Sequence, residues 1–154
     1  MPTKNPTAYV MIGIPGSGKS TWVKNNIPWV TVVSRDIIRA EMGLCGIGDK
    51  IVGDRLQEQE VTEKEYQKMQ ELCDSGTDLA IDDINTGKYR KQLVDFLRKN
   101  SYKVVMVRIN TPLEVCQKRR KGQIKPEVIE RIYNSIIEPT VDECDEIIQA
   151  KNVD

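Results

Sequence analysis

The 154-residue sequence contains no histidine. A histidine general base, a histidine-ligated zinc and a Ser-His-Asp triad are thereby excluded. Any proton acceptor has to be a carboxylate, a lysine or water. Net charge is also missing: 23 Lys and Arg stand against 23 Asp and Glu. Bulk charge therefore offers no grip on a polyanion, and such a contact needs a local basic cluster. No apolar run approaches the roughly 20 residues that span a bilayer, so no membrane partner is expected. The opening Met-Pro-Thr-Lys-Asn-Pro lacks the apolar core of a secretion signal. Cys45, Cys73, Cys116 and Cys144 form no C-x-x-C pair, and such thiols are expected to stay reduced in a cytoplasmic protein. With one Phe, two Trp and five Tyr, Tyr66, Tyr89 and Tyr133 are the candidates for stacking on a base.

What is present is ordinary for one globular domain spanning residues 1–154: 39% hydrophobic and 30% charged residues. Short apolar runs at 8–14, 29–33, 78–82 and 102–109 read as buried strands, with a short last strand at 146–149. Helical spacing recurs at 17–26, 35–42, 88–99 and 126–137. Residues 44–53 carry three glycines and read as a mobile loop. Thr62 followed by Glu65 reads as a capping box, so a helix should start there or slightly earlier and run to 72. Thr111-Pro112-Leu113-Glu114 places a threonine cap and a proline at another helix start. Strands alternating with helices imply a mostly parallel sheet of four to five strands between two helical layers. Ligands of such sheets bind beyond the carboxyl ends of the strands.

One segment carries chemistry outright. Gly13-Ile14-Pro15-Gly16-Ser17-Gly18-Lys19-Ser20 fits G-x-x-x-x-G-K-[ST] in full, with an apolar run before it and a helical stretch after it. The glycines let successive N–H groups point at one oxyanion, and the helix N-terminus adds partial positive charge. Lys19 supplies a charge for the β and γ phosphates of ATP, GTP or another nucleoside triphosphate. The Ser20 hydroxyl is a hard ligand for Mg2+. No N-K-x-D guanine motif is present, and so short a chain favours a small kinase over a GTPase or a large ATPase.

Beyond the second strand lies Ser34-Arg35-Asp36-Ile37-Ile38-Arg39. A carboxylate there can take the proton of an attacking hydroxyl. It can equally be a helix-start acid favoured by the helix dipole. Arg39 follows one turn later on the same face and could hold a phosphate of the acceptor.

Together, G-I-P-G-S-G-K-S-T-W, S-R-D-I-I-R, A-I-D-D-I-N and the late K-R-R-K-G with K-P-E-V-I-E-R-I-Y-N-S-I resemble the kinase domain of the bacteriophage T4 polynucleotide kinase family, within the P-loop kinase superfamily. The order and spacing agree across most of the chain. The resemblance implies a three-layer P-loop sandwich with a helical lid, and transfer of the γ phosphate to the 5′-hydroxyl end of DNA or RNA. It implies that Gly13, Pro15, Gly16, Ser17, Gly18, Lys19, Ser20 and Thr21 bind the nucleotide. By the same resemblance Asp36 would be the general base, and Arg35, Asp36, Arg39, Asp83 and Asn85 would face the acceptor. Asp83, with Asp82 as its rival, joins Ser20 near the metal. Arg119 and Arg120 of the lid neutralise the moving phosphoryl group. The lid segment is one or two residues shorter than the family pattern. No D-x-D-G-T segment occurs, so phosphatase chemistry is not expected. A kinase for a nucleoside, nucleotide or sugar would use the same phosphate cradle.

Overall fold

The computed structural model describes residues 5–44 and 55–151. Most of the glycine-bearing loop at 44–53, with Cys45, lies outside them. Strand β1 (Thr7–Ile12) is followed by helix α1 (Lys19–Asn26), strand β2 (Thr31–Val33), and helices α2 (Arg35–Glu41) and α3 (Arg55–Asp74). Then come β3 (Leu79–Ile81), α4 (Arg90–Lys99), β4 (Lys103–Asn110), α5 (Leu113–Arg119), α6 (Pro126–Ser135) and β5 (Glu146–Lys151). The five strands form one all-parallel sheet in the order β2-β3-β1-β4-β5.

The central strands are continuous apolar runs because both of their faces are covered. Alternation sends Val10, Ile12, Leu79, Ile81, Val104 and Met106 to one face, where Met69 of α3 and Leu93 and Leu97 of α4 pack. Met11, Ala80, Val105, Val107 and Ile109 go to the other, against Val23 of α1 and Ile27. Each large side chain sealed this way contributes about 1.5–3 kcal/mol. A third cluster, Ile14, Cys116 and Ile129, seats α5 and α6 at the carboxyl end of the sheet. Because β1 pairs with β3 on one side and β4 on the other, the strand order reverses at β1. The crevice beyond its end is the switch point where such sheets hold ligands.

Two expected helix starts differ. Thr62 caps nothing: α3 begins seven residues earlier, and the Thr62 hydroxyl donates back to the Glu58 carbonyl at 3.1 Å. Thr111 is likewise no cap. Pro112 stands at the N-cap of α5, while the buried Thr111 hydroxyl donates to the Ser17 carbonyl at 2.6 Å. A long-range acceptor in the phosphate loop outcompetes the local capping bond. Conversely, Ser34 caps α2, its side chain accepting from the Ile37 N–H at 3.1 Å.

Among the described residues Cys73, Cys116 and Cys144 are free thiols. Within the same residues, no helix is long and apolar enough to cross a membrane.

Candidate active site

The loop between β1 and α1 curls because its glycines allow it. Gly16 and Gly18 have φ of +82° and +97°, a region that costs other residues steric strain. A Cβ on Gly16 would also sit 2.9 Å from the Cys116 carbonyl of α5. One at Gly13 would meet the Ser17 hydroxyl at 2.6 Å. Ser17 itself is buried, its N–H spent on the Ile14 carbonyl and its own carbonyl on Thr111. It shapes the loop, whereas Pro15, Gly16, Gly18, Lys19, Ser20 and Thr21 line a cleft of about 2030 Å³. Gly18 caps α1 without any side-chain hydrogen bond, and the first turn has no acid. That terminus suits an anion.

Lys19 Nζ arches back to the Gly13 carbonyl at 3.0 Å and the Ile14 carbonyl at 3.3 Å. Burial pulls its ammonium below the usual lysine value, with Asp82 and Asp83 opposing. Next to it, Ser20 Oγ donates to Asp82 at 2.6 Å. The carboxylate beside the candidate metal hydroxyl is therefore Asp82, where the sequence favoured Asp83. Strand alternation does not separate the two, because β3 ends at Ile81 and both aspartates lie beyond it. A serine hydroxyl paired with one carboxylate fits magnesium, which keeps few protein ligands and completes its shell with water and phosphate oxygens. Among the described residues no cluster of three carboxylates, thiols or imidazoles exists to hold a metal by protein alone.

Asp83 turns the other way. It accepts from the Arg35 N–H, the first residue of α2, at 2.8 Å, and its carboxylate faces Glu65 of α3. Glu65 is buried, and its Oε2 meets no N–H or hydroxyl donor. Burial and the hydrogen bond to Asp83 push the Glu65 carboxyl up to about 10, while Arg35 and Arg39 of α2 pull it down. The two largest causes both favour the protonated acid. From the ordinary carboxyl range up to about 10, the folded chain holds a proton that the unfolded chain releases. Stability accordingly falls as pH rises through that window, on the order of 1 kcal/mol per unit. In Glu65→Gln, which still donates but does not titrate, the slope of Tm between about pH 6 and 9 is expected to flatten. An unchanged slope would refute the raised Glu65 carboxyl.

Asp36 occupies the second position of α2, lining the cleft with its side chain 81% exposed. It accepts from Arg39 Nη1 at 2.9 Å. Its field reaches Lys19 and raises the lysine's affinity for a proton. The structure therefore brings Asp36, Lys19, Ser20 and Asp82 around one cleft. Asn85 also lines the cleft, with its side-chain NH2 turned to backbone carbonyls. At φ +52° it sits in the left-handed region and gives its amide to the Met11 carbonyl at 2.6 Å and the Asp83 carbonyl at 3.3 Å. It ties the loop after β3 to the end of β1. Its amide is consumed by backbone carbonyls in a tight turn, a context that strand-end position alone does not reveal.

From the lid side, Arg119 Nη1 donates to the Gly16 carbonyl at 3.0 Å. The Arg120 stem lies against Gly16, and its guanidinium donates to Gln123 at 3.1 Å. Both arginines line the cleft. Of the aromatic candidates, Tyr66 packs edge-on against Phe96, and Tyr89 lines the cleft with its ring exposed. A group that the sequence did not single out is Glu58 of α3. Its carboxylate takes Arg39 Nε at 3.0 Å and Nη2 beside it, and Arg35 Nη2 at 3.2 Å. Only the α2–α3 packing makes it visible.

A family model described as an AAA domain matches residues 9–135. No curated protein matches the chain. The structure of the Pnkp1/Rnl/Hen1 RNA repair complex contains a chain that superposes with a TM-score of 0.71 at 23% identity, over 87% of this chain and 45% of that one. In a second Pnkp1/Rnl/Hen1 structure the match covers 39% of the other chain, so this chain spans less than half of either. The Mycobacterium tuberculosis APS kinase CysC, in complex with AMPPNP and APS, matches with a TM-score of 0.62 at 15% identity, over 96% and 90% of the two chains. A sugar kinase from Janibacter gives 0.65 at 16%, over 95% and 85%. At such identities the likeness is one of fold, and the fold is that of P-loop kinases.

Proposed function

We propose that this chain, which belongs to the AAA domain family, is a polynucleotide 5′-hydroxyl kinase using ATP or another nucleoside triphosphate. The observation that carries this is the placement of Asp36 and Arg39, on one turn of α2, in the same cleft as Lys19 and Ser20. The acceptor oxygen attacks the γ phosphorus in line, the bond to the β,γ-bridging oxygen breaks, and the nucleoside diphosphate departs. Asp36 takes the hydroxyl proton. Lys19, the loop N–H groups and the lid pair Arg119 and Arg120 bear the charge on the phosphate oxygens. Ser20 and Asp82 would hold magnesium, which would supply positive charge to the phosphate oxygens. Arg39 faces a phosphate of the acceptor strand, and Asp83 holds the start of α2 rather than the metal.

A kinase of a small acceptor is the second reading. The APS and sugar kinases are matched over nearly their whole length, unlike the Pnkp1 chains. A side-by-side screen with labelled ATP decides between them. Label should pass to 5′-hydroxyl DNA or RNA oligonucleotides. Transfer confined to sugars, nucleosides or other small metabolites would reject the polynucleotide reading.

A further inference from the structure

Arg39 and Arg35 are the cations of the cleft on the α2 side, and a single carboxylate already engages both. Glu58 meets Arg39 in a two-pronged contact through Nε and Nη2, and meets Arg35 through Nη2. Arg35 is held further by the Thr62 hydroxyl at 2.8 Å and the Glu58 carbonyl at 3.1 Å. The parallel fork on Arg39 is the geometry that a phosphate uses on an arginine. Asp36 satisfies the remaining Arg39 Nη1. Two guanidinium groups thus face the Glu58 and Asp36 carboxylates, with Glu65 also 3.9 Å from Arg35 Nη1, so the set carries no net positive charge. A phosphate brought to it gains little attraction while Glu58 stays in place. The contact is also no loose surface pair, since the side chains of Arg39, Arg35 and Glu58 are only 21%, 25% and 27% exposed. Hydrogen bonding to Arg39 holds the Glu58 carboxyl well below its ordinary range, and the same bonds raise Arg39.

We propose that Glu58 is a specificity-determining residue: a resident anion that occupies the seat of the acceptor's phosphate on Arg39 and must be displaced before that phosphate binds. This rests on the reading of Arg39 as the acceptor-facing arginine. Glu58 lies in the first turn of α3, so a swing of its own side chain frees the fork without moving α2 and Asp36. The cleft accordingly discriminates less between acceptors with and without a phosphate than an unoccupied Arg39 would. Removing the Glu58 charge strengthens the preference.

The probes are a nucleoside 3′-monophosphate and the same nucleoside, each with a free 5′ hydroxyl. In Glu58→Gln, the KM for the monophosphate is expected to fall about tenfold relative to wild type, while the KM for the nucleoside moves less than about threefold. The gain should shrink with added salt, because it is electrostatic. If both KM values rise together, Glu58 merely orients Arg39 and the proposal is overturned. Equal KM changes in either direction, or none, overturn it as well. Arg39→Ala measured alongside separates the premise from the proposal. If wild type prefers the monophosphate and Arg39→Ala keeps that preference, Arg39 is not the phosphate-facing group. If neither probe nor any oligonucleotide is phosphorylated by wild type, the kinase reading fails first.

Discussion

Replacing Asp36 by alanine is expected to slow phosphate transfer by about 10²–10⁴-fold while nucleotide binding persists. The two effects separate because different elements supply them. On the proposed reading the nucleotide is held by the loop after β1, by Lys19 and by Ser20, and the bonds these side chains make do not involve Asp36. Among the described residues Asp36 accepts one side-chain hydrogen bond, from Arg39 at 2.9 Å, and its helix start is secured by Ser34 and Asp83. The substitution therefore leaves α2 anchored, and its cost should lie in kcat. Transfer of label to an oligonucleotide and displacement of a fluorescent ATP analogue are the paired measurements. Turnover near the wild-type rate would remove Asp36 as the base. Loss of ATP binding together with turnover would instead mean that Asp36 belongs to the nucleotide site.

The second large effect concerns stability. Arg90, only 2% exposed, joins three segments. Its Nε and Nη2 form a forked pair with Glu143 at 3.0–3.2 Å, and its Nη1 donates to the carbonyls of Asn85, Thr86 and Ile137. The Ile137 N–H in turn donates to the Thr86 carbonyl at 2.7 Å. Arg90→Ala leaves the Asn85 and Ile137 carbonyls without this donor and strips the guanidinium from a partly buried carboxylate that keeps only Thr140 as donor, at a cost of about 3–5 kcal/mol. For a chain of this size that is a fall in Tm of about 10 °C. Differential scanning calorimetry checks it. A change of a degree or two would show that water replaces the guanidinium at no penalty. The same network pins the segment after α6 to the loop after β3. Lys is no substitute at this position, since a single ammonium lacks the planar fork that reaches both Glu143 and the carbonyls.

The legible part of this protein is the part built from neighbours in sequence. A phosphate loop between an apolar strand and a helix is local, so Gly13 to Ser20 announces itself. The alternating apolar runs of β1 and β4 report a sheet covered on both faces, and the position of Asp36 at the cleft follows from its place just beyond a strand end. Thr111, Asn85 and Glu58 were not legible in the same way. Each is used by a partner distant in the chain: Thr111 by Ser17, Asn85 by Met11, Glu58 by Arg35 and Arg39. A threonine before a proline looks like a cap until a buried carbonyl from another loop claims its hydroxyl.

The sequence by itself determined the layered α/β architecture, the phosphate cradle and the absence of histidine chemistry, because strand periodicity, glycine spacing and composition need no three-dimensional context. Only the tertiary structure decided which aspartate stands beside Ser20, that Glu65 is buried beside Asp83, and that Glu58 sits on the arginines of α2. Those outcomes depend on distances of a few ångströms between α2, α3 and the end of β3. Dehydration and Coulomb energies change steeply over such distances, and no spacing along the chain encodes them.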